Sequence, residues 1–168
     1  MKKRVLVVDD DGAVRQAMKR VLETAGYEVG LAQNGEEAIA RFQPEQTDLL
    51  LLDLNLPTHS GWDVFERLTT QYPFVPVIII TGMPNQYSTA VAAGVSALME
   101  KPLEATALLK TVREVLAERS ETRLRRMSGN QSDTRLVAQA SHMPRQPCEG
   151  RPDASSSLRS VHRGAEND

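Results

Sequence analysis

Residues 48–53 form a short, unbroken apolar run in which four leucines lie between two aspartates, Asp48 and Asp53. A run of this length without polar interruption is typical of a strand that is buried on both faces. Such strands occur in parallel sheets that are covered by helices on both sides. The run therefore favours an α/β protein. It also puts Asp53 at the carboxyl end of a strand, where open α/β sheets bind their ligands.

Strand and helix patterns alternate along the first 120 residues. Apolar runs predict five strands, and the segments between them carry apolar residues at helical spacing; the strands lie at about 4–9, 28–32, 48–53, 76–81 and 95–99. This alternation predicts a parallel sheet with right-handed crossovers. The weaker second strand should lie at an edge. We expect a three-layer α/β/α sandwich with five parallel strands in the order 2-1-3-4-5.

The composition changes after about residue 120. Residues 121–168 contain no aromatic residue, and only seven of them are Leu, Val or Met. A segment this poor in apolar side chains buries too little surface to offset the entropy cost of ordering. We therefore expect one domain over residues 1–120. Residues 121–168 should form a helix extension to about Met127 and then, from 128 to 168, a disordered tail rich in Arg and Ser, with no output domain.

Charge and cysteine content limit the partners of the chain. Residues 1–120 carry 12 Lys and Arg against 16 Asp and Glu, and residues 121–168 carry 8 Arg against 6 Asp and Glu. This balance does not indicate direct binding to nucleic acid. The single cysteine, Cys148, fits a reducing compartment. The apolar run at 5–8 is too short for a signal peptide or a membrane span. We expect a cytoplasmic protein that does not bind membranes.

Polar side chains close four of the predicted strands. Asp9 and Asp10 follow the first strand, Asp53 the third, Thr81 the fourth and Lys101 the fifth. Because the carboxyl ends of parallel strands meet at one edge of the sheet, these groups should lie close together. Several neighbouring carboxylates repel one another unless a cation joins them. Mg²⁺ suits such a set, because it accepts one or two carboxylates and takes other ligands from a phosphate.

These residues resemble those of the receiver domain of bacterial two-component response regulators, the CheY-like family with a flavodoxin-like fold. The resemblance covers about residues 3–120. It rests on four ordered motifs, Val7-Val8-Asp9-Asp10-Asp11, Asp53-Leu54-Asn55-Leu56-Pro57 with Ser60-Gly61, Thr81-Gly82 and Lys101-Pro102. The resemblance implies a single-domain response regulator, a phosphoacceptor in a phosphorelay rather than an enzyme that acts on a separate substrate.

The resemblance also implies a role for each matching position. Asp53 would accept a phosphoryl group from a sensor histidine kinase or a histidine phosphotransfer protein. Asp10, Asp53 and the backbone carbonyl of Asn55 would bind Mg²⁺, and Asp9 would support the ion through water. Thr81 and Lys101 would bind the phosphoryl oxygens. Phosphorylation would then switch a face that binds a downstream protein.

One position departs from the family pattern. Many receivers carry Tyr or Phe three residues before the lysine, and here that residue is Leu98. Leucine presents neither a ring nor a hydroxyl, so the aromatic coupling of the family is in doubt. We interpret Leu98 as a strand residue that packs under a helix.

Two alternatives remain open. The first is a Mg²⁺-dependent phosphohydrolase with an aspartyl nucleophile, similar to haloacid dehalogenase-like enzymes. Those enzymes usually carry a second Asp two residues after the nucleophile, where this sequence has Asn55. The second is a degenerate receiver that acts only as a binding module. The retained residues Asp10, Asp53, Thr81 and Lys101 argue against it, whereas Leu98 is compatible with it.

Overall fold

The computed structural model describes residues 1–128 and 134–137. Its strands are β1 (Arg4–Val8), β2 (Glu28–Ala32), β3 (Leu49–Asp53), β4 (Val77–Thr81), β5 (Ala97–Glu100) and β6 (Arg135–Val137). Its helices are α1 (Gly12–Thr24), α2 (Gly35–Arg41), α3 (Gly61–Gln71), α4 (Tyr87–Ala92), α5 (Ala105–Leu116) and α6 (Ser120–Met127).

All strands of the described sheet are parallel, in the order β2-β1-β3-β4-β5-β6. The predicted order of the first five strands is confirmed, and β2 lies at an edge as expected. The register aligns the carboxyl ends: Asp53 pairs with Ile80, and Thr81 pairs with Glu100. The ends of β3, β4 and β5 therefore lie along one rim of the sheet.

The leucines of β3 show how both faces of the sheet are buried. Leu49, Leu50, Leu51 and Leu52 are all fully buried. Because side chains alternate along a strand, Leu50 and Leu52 join the apolar core that also contains residues of α2, α3 and α4. Leu49 and Leu51 join the core that contains residues of α1 and α5. The uninterrupted run is thus the sequence signature of a strand between two helical layers.

The C-terminal part differs from the sequence prediction. The last helix was expected to continue to Met127, but α5 ends at Leu116 and a separate α6 begins at Ser120. The break turns the chain so that the Glu118 side chain forms an ion pair with Arg126 of α6. Beyond α6, residues 134–137 were expected to be disordered, yet residues 135–137 form β6 against β5. The remainder of that prediction, for 129–133 and 138–168, lies outside the described residues.

Within residues 1–128 and 134–137, none of the helices combines the length and the apolar character that a membrane crossing requires.

Candidate functional site

Four side chains that follow or close neighbouring strands meet at the carboxyl rim of the sheet. Asp53 and Thr81 are the last residues of β3 and β4, whereas Asp9 and Lys101 directly follow β1 and β5. Asp9, Asp53 and Thr81 are buried, each with at most 1% of its surface exposed. Ionisable groups are rarely buried to this extent unless they are paired or bind a ligand. The rim is therefore a candidate site on burial alone.

Lys101 joins the two buried acids. Its Nζ donates to Asp9 Oδ2 at 2.8 Å and to Asp53 Oδ2 at 2.7 Å. Burial by itself would lower the pKa of the Lys101 ammonium, but the hydrogen bonds to Asp53 and Asp9 outweigh this effect and raise the pKa above its ordinary value. The ammonium therefore remains charged at neutral pH and lies between both carboxylates.

The carboxylates also accept backbone hydrogen bonds. Asp9 Oδ1 accepts from the amide of Asp11 at 2.9 Å, and Asp53 Oδ1 accepts from the amide of Asn55 at 2.9 Å. Burial raises the pKa of Asp9 above its ordinary value, and the bonds from Lys101 and Asp11 offset only part of this effect. The negative charge of Asp53 also raises the pKa of Asp9. The site thus holds acids that one lysine does not fully compensate.

Asp10 adds a third carboxylate at the mouth of the site. One oxygen from each of Asp9, Asp10 and Asp53 lies within 4.8 Å of the others, and Asp10 is exposed to solvent. All of these donors are hard carboxylate oxygens, which Mg²⁺ prefers. The excess of negative charge, the short spacing and the open side at Asp10 fit a hydrated divalent cation. The predicted metal residues Asp9, Asp10 and Asp53 are thus together, and Asn55 contributes a backbone amide beside them.

Thr81 lies across the rim from Asp9. Its Oγ1 accepts from the amide of Met83 at 2.9 Å, which fixes the start of the loop between β4 and α4. A hydroxyl that accepts in this way can still donate its own hydrogen. The backbone amide of Lys101 donates to the Thr81 carbonyl at 2.9 Å, so the two residues are also linked through their main chains. Next to Thr81, a Cβ added to Gly82 would meet no atom within 4 Å.

The loop after Asp53 depends on a glycine. A Cβ added to Gly61 would lie 2.2 Å from the Asp53 carbonyl oxygen and 2.6 Å from Leu54 Cα. The Gly61 amide donates to the Leu54 carbonyl at 3.0 Å. Only glycine permits this close approach of the first residue of α3 to the end of β3. Gly61 therefore holds the backbone that presents the Asp53 carboxylate.

Asp11 and Leu98, which lie near the site, have structural roles. Asp11 is the N-cap of α1, because its Oδ1 accepts from the amides of Ala13 and Val14. These bonds hold the pKa of the Asp11 carboxyl below its ordinary value. Leu98 is 1% exposed and packs in the core that α2, α3 and α4 share, as interpreted from the sequence.

The sequence did not single out Arg15 or Gln86. Arg15 Nη1 donates to the Asp9 carbonyl at 2.5 Å and so supports the strand end that carries Asp9 and Asp10. Trp62 Nε1 donates to Gln86 Oε1 at 3.1 Å, which ties α3 to the loop before α4. A contact between side chains 24 residues apart leaves no local sequence signal, and an arginine on α1 looks like any surface cation.

Comparison with protein families gives a specific match. Residues 5–113 match the model of the response regulator receiver domain. The response regulator MprA of Mycolicibacterium vanbaalenii is 35% identical over 116 residues, which are 67% of this chain and 50% of that protein. The chain thus spans about half the length of this relative.

Solved structures agree with this match. A CheY-like response regulator receiver domain protein from Methanospirillum hungatei has a TM-score of 0.67 and 33% identity, over 72% of this chain and 98% of that one. The response regulator protein TrrA of Thermotoga maritima, solved in complex with Mg²⁺-BeF, has a TM-score of 0.62 and 30% identity, over 67% of this chain and 98% of that one. Fold and sequence therefore point to the same family.

Proposed function

Because the chain belongs to the response regulator receiver domain family, we propose that Asp53 accepts a phosphoryl group from a sensor histidine kinase or a histidine phosphotransfer protein. Receiver domains of two-component systems are phosphoacceptors rather than enzymes that act on a separate substrate. The observation that carries the proposal is the buried Asp53 carboxylate at the end of β3, bound by the Lys101 ammonium at 2.7 Å. The proposal includes a cytoplasmic location and output through protein contact, without direct binding to nucleic acid or membranes.

The carboxylate of Asp53 is the nucleophile. One of its oxygens forms a bond to phosphorus while the bond between phosphorus and the donor histidine nitrogen breaks, and the electron pair of that bond leaves with the imidazole. The product is an aspartyl phosphate at the rim of the sheet.

Lys101 and Thr81 stabilise the transferred group. The Lys101 ammonium, which already bridges Asp9 and Asp53, donates to a phosphoryl oxygen and neutralises part of its charge. The Thr81 hydroxyl donates to another phosphoryl oxygen while it accepts from the Met83 amide. Positioning and charge stabilisation are the main requirements of phosphoryl transfer, because its transition state is loose.

The acid cluster fits Mg²⁺ as a cofactor. Asp10, Asp53 and the backbone carbonyl of Asn55 would hold the ion, and Asp9 would support it through water. When bound, Mg²⁺ supplies positive charge to the phosphoryl oxygens. This part of the proposal is supported by the clustered carboxylates and by the similar TrrA protein, which was solved with Mg²⁺-BeF.

The proposed output begins at Thr81. A new phosphoryl group would draw the Thr81 hydroxyl towards it, and the Met83 amide bound to that hydroxyl would follow with the loop before α4. Lys101 would move with β5 because its amide is bonded to the Thr81 carbonyl. The switched face would therefore comprise α4, β5 and α5, as a shift between two packings rather than a rotation of Leu98.

Labelling with acetyl phosphate and Mg²⁺, followed by mass spectrometry, tests this function. The unmodified protein should gain a phosphoryl group at Asp53, and Asp53→Asn should gain none. Asp48→Asn is the matched control, because Asp48 precedes the same strand and bonds to Lys3 and Arg4 at the opposite end of the sheet. It should be labelled like the unmodified protein. Equal labelling of Asp53→Asn would overturn the assignment, and turnover of a generic phosphate ester would favour the phosphohydrolase alternative.

A further inference from the structure

In the described sheet, residues 134–137 cover the side of β5 that faces away from β4. Arg135 pairs with Ala97, Leu136 with Leu98 and Val137 with Met99, all in parallel orientation. The Arg135 amide donates to the Ser96 carbonyl at 3.3 Å, and Thr134 Oγ1 donates to the Val95 carbonyl at 3.0 Å. Thr134 is 7% exposed, so this contact is buried. We call α6 and β6, together with Glu118, the C-terminal cover.

Buried charges hold the cover in place. The side chains of Glu118 and Arg126 are 3% and 2% exposed and form an ion pair. Arg126 Nη1 donates to Ser96 Oγ at 2.9 Å, so α6 is fixed directly to the residue before β5. Arg135 of β6 lies 3.6 Å from the same Glu118 carboxylate. Both elements of the cover therefore converge on one acid and on the start of β5.

The register shows which backbone amides and carbonyls of β5 form hydrogen bonds with the C-terminal cover. Because the Arg135 amide donates to the Ser96 carbonyl, the parallel ladder directs the amides of Leu98 and Glu100 and the carbonyl of Leu98 towards β6. Without β6 these groups would form an open strand edge, which is a template for pairing with another chain. Among residues 1–128 and 134–137, the strand that pairs with them on that side is β6, which is three residues long.

We propose that the edge of β5 is a self-association surface and that the C-terminal cover keeps it closed: when β6 is released, β5 pairs with β5 of a second copy of this chain. This inference does not depend on phosphorylation of Asp53. It concerns a surface that the acid cluster does not include.

The sequence of β5 suits antiparallel pairing with itself around a two-fold axis at Leu98. In this register Leu98 of one copy faces Leu98 of the other, and each residue both donates and accepts one ladder bond. The Glu100 amide of each copy faces the Ser96 carbonyl of the other. Ala97 faces Met99, so apolar side chains meet and no like charges oppose each other. Every backbone group that β6 now satisfies thus finds a partner in the second copy.

Two proline variants of the full chain test this proposal. Val137→Pro removes an amide that the ladder directs towards β5, whereas Leu136→Pro removes an amide that points away from it. Val137→Pro should release β6, and the Leu98 and Glu100 amides should then exchange faster with solvent. Its mass in sedimentation velocity should rise with concentration towards twice the monomer mass. Leu136→Pro should keep both properties of the unmodified chain.

Three outcomes would overturn the proposal. The first is faster exchange at Leu98 and Glu100 in Val137→Pro without any rise in mass. The second is unchanged exchange at these amides, because β6 would then not be the cover. The third is an equal rise in mass in Leu136→Pro.

Thr134→Val is a second variant that tests the proposal if Val137→Pro does not fold. It keeps the size of the side chain and removes only the bond to the Val95 carbonyl. The same changes in exchange and mass, to a smaller extent, would support the proposal. A Thr134→Val protein that matches the unmodified chain in both measurements would contradict it.

Discussion

The described part of the chain contains two groups of buried charges with opposite balance. At the rim, the acids Asp9 and Asp53 share the Lys101 ammonium, and Asp10 adds a third carboxylate. In the C-terminal cover, the buried acid Glu118 faces three guanidinium groups, those of Arg123, Arg126 and Arg135. We refer to the second group as the arginine cluster.

The two groups differ in the solvent exposure of the side chains that carry the excess charge. In the arginine cluster, Arg126 is buried with Glu118. The side chains of Arg123 and Arg135 are 21% and 36% exposed, so their charge is partly solvated, although the Arg123 Nε and Arg135 Nη1 atoms that face Glu118 are buried. At the rim, both Asp9 and Asp53 are buried, so solvent does not reach their excess negative charge. A buried charge that the protein leaves uncompensated is a mark of a functional site, whereas a compensated one fixes structure.

Glu118→Gln should have the largest effect on stability. It keeps the shape of the side chain but removes the buried carboxylate that forms an ion pair with Arg126, which should weaken docking of the cover by about 3 kcal/mol. Amide exchange at Arg135 and Val137 should accelerate by roughly 100-fold. Glu114→Gln is the control, because its side chain is 42% exposed and its pair with Arg135 is worth less than about 1 kcal/mol. Unchanged exchange in Glu118→Gln would show that the arginine cluster does not hold the cover.

Lys101→Met should slow labelling of Asp53 by about 100-fold, since it removes the ammonium that bonds to both Asp9 and Asp53. The size of this loss is that of one preorganised charge, about 2.7 kcal/mol. Lys110→Met, an exposed lysine of α5, should label at the unmodified rate. The rate of phosphoryl incorporation from acetyl phosphate measures both. An unmodified rate in Lys101→Met would mean that the rim does not act through this ammonium.

Asp10→Asn should weaken Mg²⁺ binding by about tenfold, or 1.4 kcal/mol, as measured by calorimetry. Because the change relieves repulsion from Asp9 and Asp53, thermal stability in the presence of a chelator should not fall. Asp11→Ala gives the opposite pattern: it should lower thermal stability through loss of the α1 cap and leave Mg²⁺ affinity intact. Loss of several degrees in metal-free Asp10→Asn would contradict the repulsion between these acids.

Asp48→Asn should have the smallest effect, and it should depend on pH. Burial would raise the pKa of Asp48, but hydrogen bonds from Lys3 and the Arg4 amide outweigh it and lower the pKa below its ordinary value of 3.8. The acid therefore adds stability above pH 3.8, and this contribution is lost as the pH falls through the lowered pKa. The variant should lose about 1 kcal/mol or less at pH 7 and nothing at strongly acid pH. Thermal melts across this pH range measure the loss of stability. A loss that does not change with pH would contradict its ionic origin.

The sequence predicted the first five strands and their order because each strand is encoded locally. The four leucines of 49–52 are apolar on both faces, and period-two alternation sends them into two cores. The same patterns put Asp9, Asp53, Thr81 and Lys101 at strand ends, and a parallel sheet brings such ends to one rim. The proximity of these four side chains therefore follows from the sheet topology alone.

Other features needed the folded chain. Nothing within residues 1–16 distinguishes Arg15 as the donor to the Asp9 carbonyl, and the bond from Trp62 to Gln86 spans 24 residues. The boundary of β5 also moved, from the expected 95–99 to Ala97–Glu100. Loop hydrogen bonds and exact strand ends depend on neighbours that are distant in sequence.

The sequence alone thus determined the layered α/β fold and the set of side chains at its rim, because both follow from periodicity and strand direction. Only the tertiary structure decided that Lys101 bridges two acids 48 and 92 residues away, and that residues 135–137 continue the sheet. A three-residue strand has too little apolar surface to be recognised by composition. It forms because β5 offers an open edge and because Glu118 holds Arg126 and Arg135 beside it, and these are interactions that only the folded chain brings together.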